Sequence, residues 1–458
     1  MDVSPLSQTA KNQNINPPVQ LLVLSNGHGE DVIAARIVQA LQSSPHSPEI
    51  FALPIVGKGH KYQELNIPVI GAVRTMPSGG FIYMDGNQLM GDIRGGLLQL
   101  TWNQIKAIRH WVNTRKKSHT QCAILAVGDI VPLLLAWVSG ANYTFVGTAK
   151  SEYYVRDEAG LLKRHTKGAR WENFSGSIYH PWERWLMSHR RCQGVFPRDS
   201  LTTKILQKWS IPAFDLGNPM MDGLEPTFPS QSFFRVNAEQ EELTRPLVVT
   251  LLPGSRPPEA YNNWETIAIA VSSIMANLRQ QEFRQVHSRH ALFLAAISPN
   301  LDMDNLCHIL QCSGWRFQEQ GELPIQINDN QALTFKQNNA YLILTQNAYN
   351  DCLYLADVAI AMAGTATEQF VGLGKPAITI PGEGPQFTPA FAEAQSRHLG
   401  RSVILVPRPE KVGEFVRSLF NNPDEVHLIC QNGMQRMGQP GAAQRIADCL
   451  IQRLSNPS

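Results

Sequence analysis

Two doubly wound α/β domains are what this sequence predicts, and three observations predict them. Apolar runs of strand length alternate with longer helical stretches along the chain. The composition breaks once, at "GLEPTFPSQSFFRVNAEQEELTRP", where Pro, Ser and Gln accumulate between two such series. Glycine-bearing loops stand where several of the strands hand over to helices. The strand-like runs lie at 20–25, 50–56, 122–127, 143–147 and 193–196 in the first series. In the second they lie at 246–252, 291–297, 341–344, 357–361, 376–380 and 402–406. That alternation implies parallel sheets with helices on both faces. The chain accordingly divides into a polar, proline-rich tail expected to be disordered (1–19), a first domain (20–222), a linker (223–245) and a second domain (246–430). A closing helical segment (431–458) carries "GAAQRIADCLIQRL", able to pack back on the first domain.

Length and composition set the bounds. The 458 residues suffice for two or three domains, and a net charge of +2 gives no support to nucleic-acid binding. Seven cysteines are scattered without paired C-x-x-C spacing, which fits a reducing compartment and no structural zinc. The first 19 residues lack the basic start and apolar stretch of a secretory signal. The longest apolar stretch, 122–147, is interrupted by Gly128-Asp129 and Pro132, so it reads as strand, loop, helix and strand in place of a membrane span. A cytoplasmic location follows as the expectation.

The first loop, Gly27-His28-Gly29, follows a buried strand and opens a helix whose first turn holds Glu30 and Asp31. Gly-x-Gly in that place begins a dinucleotide fingerprint, but Val32 stands where the third glycine belongs. Two carboxylates already satisfy the helix dipole and would repel a phosphate. Phosphates are better served in the second series. "VVTLLPGSRPPE" ends a strand in Gly254, Ser255 and Arg256: close backbone approach, a hydroxyl donor and a planar cation for a diphosphate. "LADVAIAMAGTATEQ" runs a strand through Gly364, Thr365, Ala366 and Thr367 into a helix. There Glu368, with Gln369 beside it, is placed to accept two ribose hydroxyls. Gln386, after the following strand, is a candidate contact to the donor sugar. Asp302-Met303-Asp304 reads as a helix start with capping acids, more than as a metal clamp.

"LLPGSR", "LADVAIAMAGTATEQ" and "GNPMMD" at 217–222 together resemble the inverting glycosyltransferases of the GT-B fold, most closely lipid-A-disaccharide synthase, in order over about 20 to 450. The resemblance implies two Rossmann-like domains with an interdomain cleft, a UDP-sugar donor as co-substrate, no cofactor and no required metal. It also implies a lipid acceptor at a membrane face. Gly27, Gly29, Glu30 and Asn218 then fall on the acceptor side, and Asp129, Asp31 and His28 are the candidate catalytic bases. Asp129 matches the family position best. Departures are local: "SNGHGED" has one residue more than the family loop, the catalytic stretch survives only as Gly128-Asp129 before Ile-Val-Pro, and "FVGTAKSEYYV" replaces an aromatic segment.

Residues 76–118 join a glycine-rich apolar stretch to "TWNQIKAIRHWVNTRKKSH", which has five Lys or Arg and no acid. Such a pairing suits peripheral contact with an anionic membrane, and equally a core helix with a solvated basic face. Two other functions compete with the transferase. A UDP-GlcNAc 2-epimerase shares the fold. A non-catalytic lipid- or nucleotide-binding protein of the same fold is the third reading, and the two intact diphosphate loops argue against a pure scaffold, which does not require them.

Overall fold

A computed structural model describes residues 19–73, 97–162, 175–227, 246–278, 291–318, 325 and 327–455. The expected tail up to residue 18 and the linker from 228 to 245 lie outside the described residues, as do residues 76–96 of the apolar and basic segment.

The first series runs β1 (Gln20–Ser25), α1 (His28–Gln42), β2 (Glu49–Pro54), α2 (His60–Glu64), α3 (Leu97–Lys117), β3 (Cys122–Gly128), α4 (Ile130–Val138) and β4 (Asn142–Gly147). A small hairpin of β5 (Arg156–Asp157) and β6 (Gly160–Leu161) follows, then α5 (Pro181–Ser188), β7 (Cys192–Pro197) and α6 (Ser200–Gln207). The strands lie in the order β2-β1-β3-β4-β7, with β1 parallel to both β2 and β3. The stretch 122–147 is strand, loop, helix and strand, as its interruptions require. Among the described residues no helix is long and apolar enough to cross a membrane.

The second series is β8 (Leu247–Leu252), α7 (Glu259–Leu278), β9 (Ala291–Ala296), α8 (Met303–Cys312), β10 (Arg316–Gln318), β11 (Leu333–Gln337), β12 (Ala340–Thr345), α9 (Tyr349–Leu355), β13 (Val358–Ala361), α10 (Thr365–Gly372), β14 (Ala377–Thr379), α11 (Pro389–Leu399), β15 (Val403–Leu405), α12 (Val412–Phe420), α13 (Pro423–Met437) and α14 (Ala442–Ser455). Its eight strands run β10-β11-β12-β9-β8-β13-β14-β15. From β12 to β15 they are parallel in the doubly wound order 3-2-1-4-5-6, with an antiparallel edge added by β10 and β11. Alternate residues of β8 serve opposite faces. Leu247, Val249 and Leu251 pack with Trp264, Ile267 and Val271 of α7, whereas Val248 and Leu252 pack with Leu353 of α9 and Phe370 of α10. A strand buried on both sides has to be apolar throughout, so these strands read as unbroken apolar runs.

By their contacts the residues form two compact units. One comprises Met1–Phe145, Arg190–Gln193 and Ala447–Ser458, the other Val146–His189 and Gly194–Ile446. The division falls inside β4 and β7 and not at residue 222, because the stretches after both strands are bonded to the helices of the second sheet. Within the second unit Arg198 pairs with Glu368, Arg397 donates to the Tyr154 carbonyl, and Asp222 accepts from the backbone N–H groups of Gly441, Ala442 and Ala443. Within the first, Gln121 donates to the carbonyl of Leu454 and Arg453 to that of Gln193, which fixes the end of α14.

Candidate functional site

In a doubly wound sheet the crevice opens where strand order reverses, beyond the carboxyl ends of the two central strands. In the second unit those strands are β8 and β13, and the loops leaving them are Pro253–Pro258 and Met362–Gly364. Both nucleotide motifs read from the sequence therefore leave neighbouring strands at one switch point. Gly254 has φ +99°, a conformation that favours glycine, and it lies against the other loop, a Cβ placed there standing 3.4 Å from the Met362 carbonyl oxygen. Asn263 of α7, buried, ties them by donating to the carbonyls of Pro253 (2.9 Å) and Met362 (3.3 Å). Glu259 accepts from the N–H groups of Gln386 (3.3 Å) and Phe387 (2.5 Å), which brings in the loop after β14. Ser255 is left exposed, with Arg256 and Gln386 half-buried.

Helix α10 opens at Gly364 without a side-chain cap, so its first N–H groups point along the axis as a ready anion site. Thr365 is exposed and Ala366 half-buried. Thr367 turns inward and donates to the Ala363 carbonyl at 2.6 Å, while Gln395 donates to the carbonyls of Ala363 and Gly364. Gln369 is held between the Tyr349 hydroxyl (2.6 Å) and the Met220 carbonyl (3.0 Å).

Glu368 is hydrogen-bonded at one oxygen and faces an imidazole at the other. Oε2 accepts from Arg198 Nη2 at 2.7 Å, and Oε1 lies 3.5 Å from His398 Nδ1. Arg198 also donates to the Thr148 carbonyl at 3.0 Å, and the Tyr154 ring stacks on His398 at 4.4 Å. All three charged or titratable groups are buried. Burial alone would raise the Glu368 pKa, but Arg198, aided by His398, outweighs it and holds the carboxyl at about 2. Burial lowers the His398 pKa against the opposing pull of Glu368, which favours the neutral imidazole, and neither ring nitrogen has a hydrogen-bond partner among the described residues. Arg198, His398, Tyr154 and the two loop-tying residues Asn263 and Glu259 are the residues that sequence reasoning missed. Only Arg198 left a signal, standing directly after the strand that ends at Pro197.

The first unit repeats the pattern on a smaller scale. Its order reverses between β1 and β3, and the loops there carry Gly27 and Asp129. Gly27 has φ +128°, and its carbonyl accepts from Asp31 N–H at 2.7 Å. Gly128 brings the two loops together, since a Cβ on it would lie 3.3 Å from Asn26 and 3.4 Å from Glu30. Asp129 is the N-cap of α4, with Oδ1 accepting from Val131 N–H at 2.9 Å. Asp31 is buried in a polar cluster, where Ser25 donates to its Oδ1 at 2.5 Å and itself meets the Tyr62 hydroxyl at 2.6 Å. Burial, with Asp31 adding to it, raises the Tyr62 pKa. His28 opens α1, and its side chain lies outside the described residues. Gly29 is exposed with nothing within 4 Å of a Cβ placed on it. Gly29→Ala is therefore expected to raise stability by a few tenths to about 1 kcal/mol in chemical denaturation. A loss would show that its backbone conformation is required.

Asn218 belongs to the second unit. It is buried, caps the short 3-10 turn Pro219–Met221 through Met220 N–H at 3.1 Å, and leaves Nδ2 without a partner among the described residues. Asp302 caps α8 by accepting from Asp304 N–H at 3.1 Å, the helix start expected of that pair.

No family model matches the chain, and no curated protein does. Solved structures do. A putative UDP-N-acetylglucosamine 2-epimerase from Listeria monocytogenes is similar at 12% identity over 96% of each chain, with a TM-score of 0.50. MurG of Acinetobacter baumannii is similar at 14% identity over 95% of this chain and 100% of its own, with a TM-score of 0.50. The glycotransferase of kitacinnamycin reaches a TM-score of 0.52 at 12% identity, over 96% of this chain and 99% of its own. At such identities the likeness establishes the fold: two Rossmann-like α/β domains of the GT-B type.

Proposed function

We propose that this chain is an inverting glycosyltransferase that moves a sugar from a UDP-linked donor to a lipid-linked acceptor, in the manner of lipid-A-disaccharide synthase. The observation that carries the reading is the placement of Gly254-Ser255-Arg256 and Gly364–Gln369 directly after the two strands that flank one switch point. The names of the similar structures, several of which refer to UDP or UDP-sugars, support the donor class. In this reading Ser255, Arg256 and the N-terminus of α10 neutralise the diphosphate, electrostatic help that requires no metal. The acceptor hydroxyl attacks the anomeric carbon opposite UDP and passes its proton to Asp129. UDP departs with the electrons of the broken C–O bond, and the configuration inverts. For Glu368 to take the ribose hydroxyls, its pairing with Arg198 has to open.

The enzyme would work at the cytoplasmic face of a membrane. The exposed side of α3 supports this: Trp102 is 56% exposed with Lys106 over its ring, and the helix holds no acid along its length. A second reading, a UDP-N-acetylglucosamine 2-epimerase, rests on the similar structures that bear that name.

The test is calorimetric titration with UDP, UDP-GlcNAc and NAD. UDP ligands are expected to bind, and Arg256→Ala to weaken them about tenfold or more through loss of one charge-assisted contact. Binding of NAD alone, indifferent to Arg256, would overturn the reading. Conversion of UDP-GlcNAc without any acceptor would favour the epimerase.

A further inference from the structure

The exposed face of α5 is aromatic, which the donor and acceptor reading does not use. Trp182 is 53% exposed and Trp185, three residues on and so on the same side of the helix, is 54% exposed. The His180 ring stacks on Trp182 at 4.5 Å, and the His189 ring meets Trp185 edge-on at 6.0 Å. Trp209, 46% exposed just past α6, adjoins the same helix through the Arg184 guanidinium, 3.7 Å over its ring. Single exposed apolar residues are ordinary. Two large tryptophans side by side on a helix of eight residues, with a third beside them, form a patch.

Among the described residues of α5, α6 and the position just after α6, the exposed charge has one sign. Lys204 and Lys208 are exposed on and just after α6. The only acid in α5, Glu183, is buried and paired with Lys150 at 2.6 Å, and the acid before α6, Asp199, is buried as its cap. Neither helix exposes a carboxylate. Tryptophan favours the boundary between hydrocarbon and water because its ring is apolar and its N–H is not, and exposed lysines favour anionic headgroups.

We infer that Trp182 and Trp185 of α5, with Trp209 and the exposed Lys204 and Lys208 of the α6 segment that leads into it, form a docking surface for an anionic lipid bilayer, additional to α3. This surface needs no catalytic activity and stands apart from the identity of the donor. Its test is partition of the whole chain onto vesicles of mixed phosphatidylglycerol and phosphatidylcholine, with phosphatidylcholine vesicles as reference. Trp182→Ser/Trp185→Ser is expected to lower the partition coefficient about tenfold or more. It should also reduce quenching of the protein's fluorescence by brominated lipid, leaving the part that Trp102 and Trp209 contribute. Lys204→Glu/Lys208→Glu is expected to weaken binding by a similar factor at low salt, and by less at high salt. Thermal melting and UDP titration of each variant show that the fold and the nucleotide site are intact, so failure of the donor reading and failure of this one are separable. Unchanged partition and quenching in the tryptophan variant would overturn the surface. So would a drop in oligomeric mass without lipid, which would make the face a contact between copies of the chain.

Discussion

Glu368→Ala is expected to cost about 3–5 kcal/mol of folding stability, because it strands the Arg198 guanidinium, buried and committed to that carboxylate. Arg198→Met/Glu368→Leu should cost less than either single substitution, since replacing both charges removes the desolvation penalty along with the attraction. Chemical denaturation of the four proteins measures the coupling, and a single-variant cost below about 1 kcal/mol would refute the pairing. Acid supplies an independent check. Glu368 is held at about 2, below its ordinary 4.5, so its contribution is complete above pH 4.5 and is lost as pH falls from there through 2. That shift corresponds to roughly 3 kcal/mol. His398, kept neutral by burial, acts earlier: below its ordinary 6.5 the unfolded chain binds a proton that the folded chain resists, and stability falls with pH. Glu368→Gln should abolish the lower part of this loss and leave the upper part.

The same cluster shows where reading the sequence stops. Arg198 and Glu368 are 170 residues apart and His398 is a further 30 beyond, so nothing local announces that they meet. The strands were legible because parallel strands buried on both faces have to be apolar from end to end, as Leu247–Leu252 is. The edge strands β10 and β11 were not, because "RFQ" is exposed throughout and "LTFKQ" buries only Phe335. The glycine loops were legible because their residue types are dictated by backbone geometry, as at Gly27 and Gly254. Between Glu30 and Asp31 the sequence left the acid position open, since both sit in one helical turn. The structure separates them by what faces each: Ser25, itself bonded to Tyr62, for Asp31, and the Gly128 loop for Glu30.

Gly433→Ala carries the second large effect, against the usual direction. Gly433 lies inside α13, where alanine ordinarily favours the helix by about 1 kcal/mol. Here a Cβ would overlap the Val371 carbonyl oxygen, which belongs to α10. A backbone oxygen cannot rotate aside like the end of a flexible side chain, so one helix has to move. Overpacking of this kind costs about 1–3 kcal/mol or more, enough to override the propensity gain. The displacement falls one turn from Thr367 and Glu368, on the helix whose N-terminus is the proposed diphosphate site. Gly433→Ala is therefore expected to lower the denaturation midpoint and to weaken UDP binding from a position that no ligand touches. Arg256→Ala, on an exposed loop, should weaken UDP binding with little change in stability. If Gly433→Ala instead stabilised the protein as an ordinary helix substitution does, the close approach of α10 and α13 would be wrong, and with it the fixed placement of the Gly364–Thr367 loop.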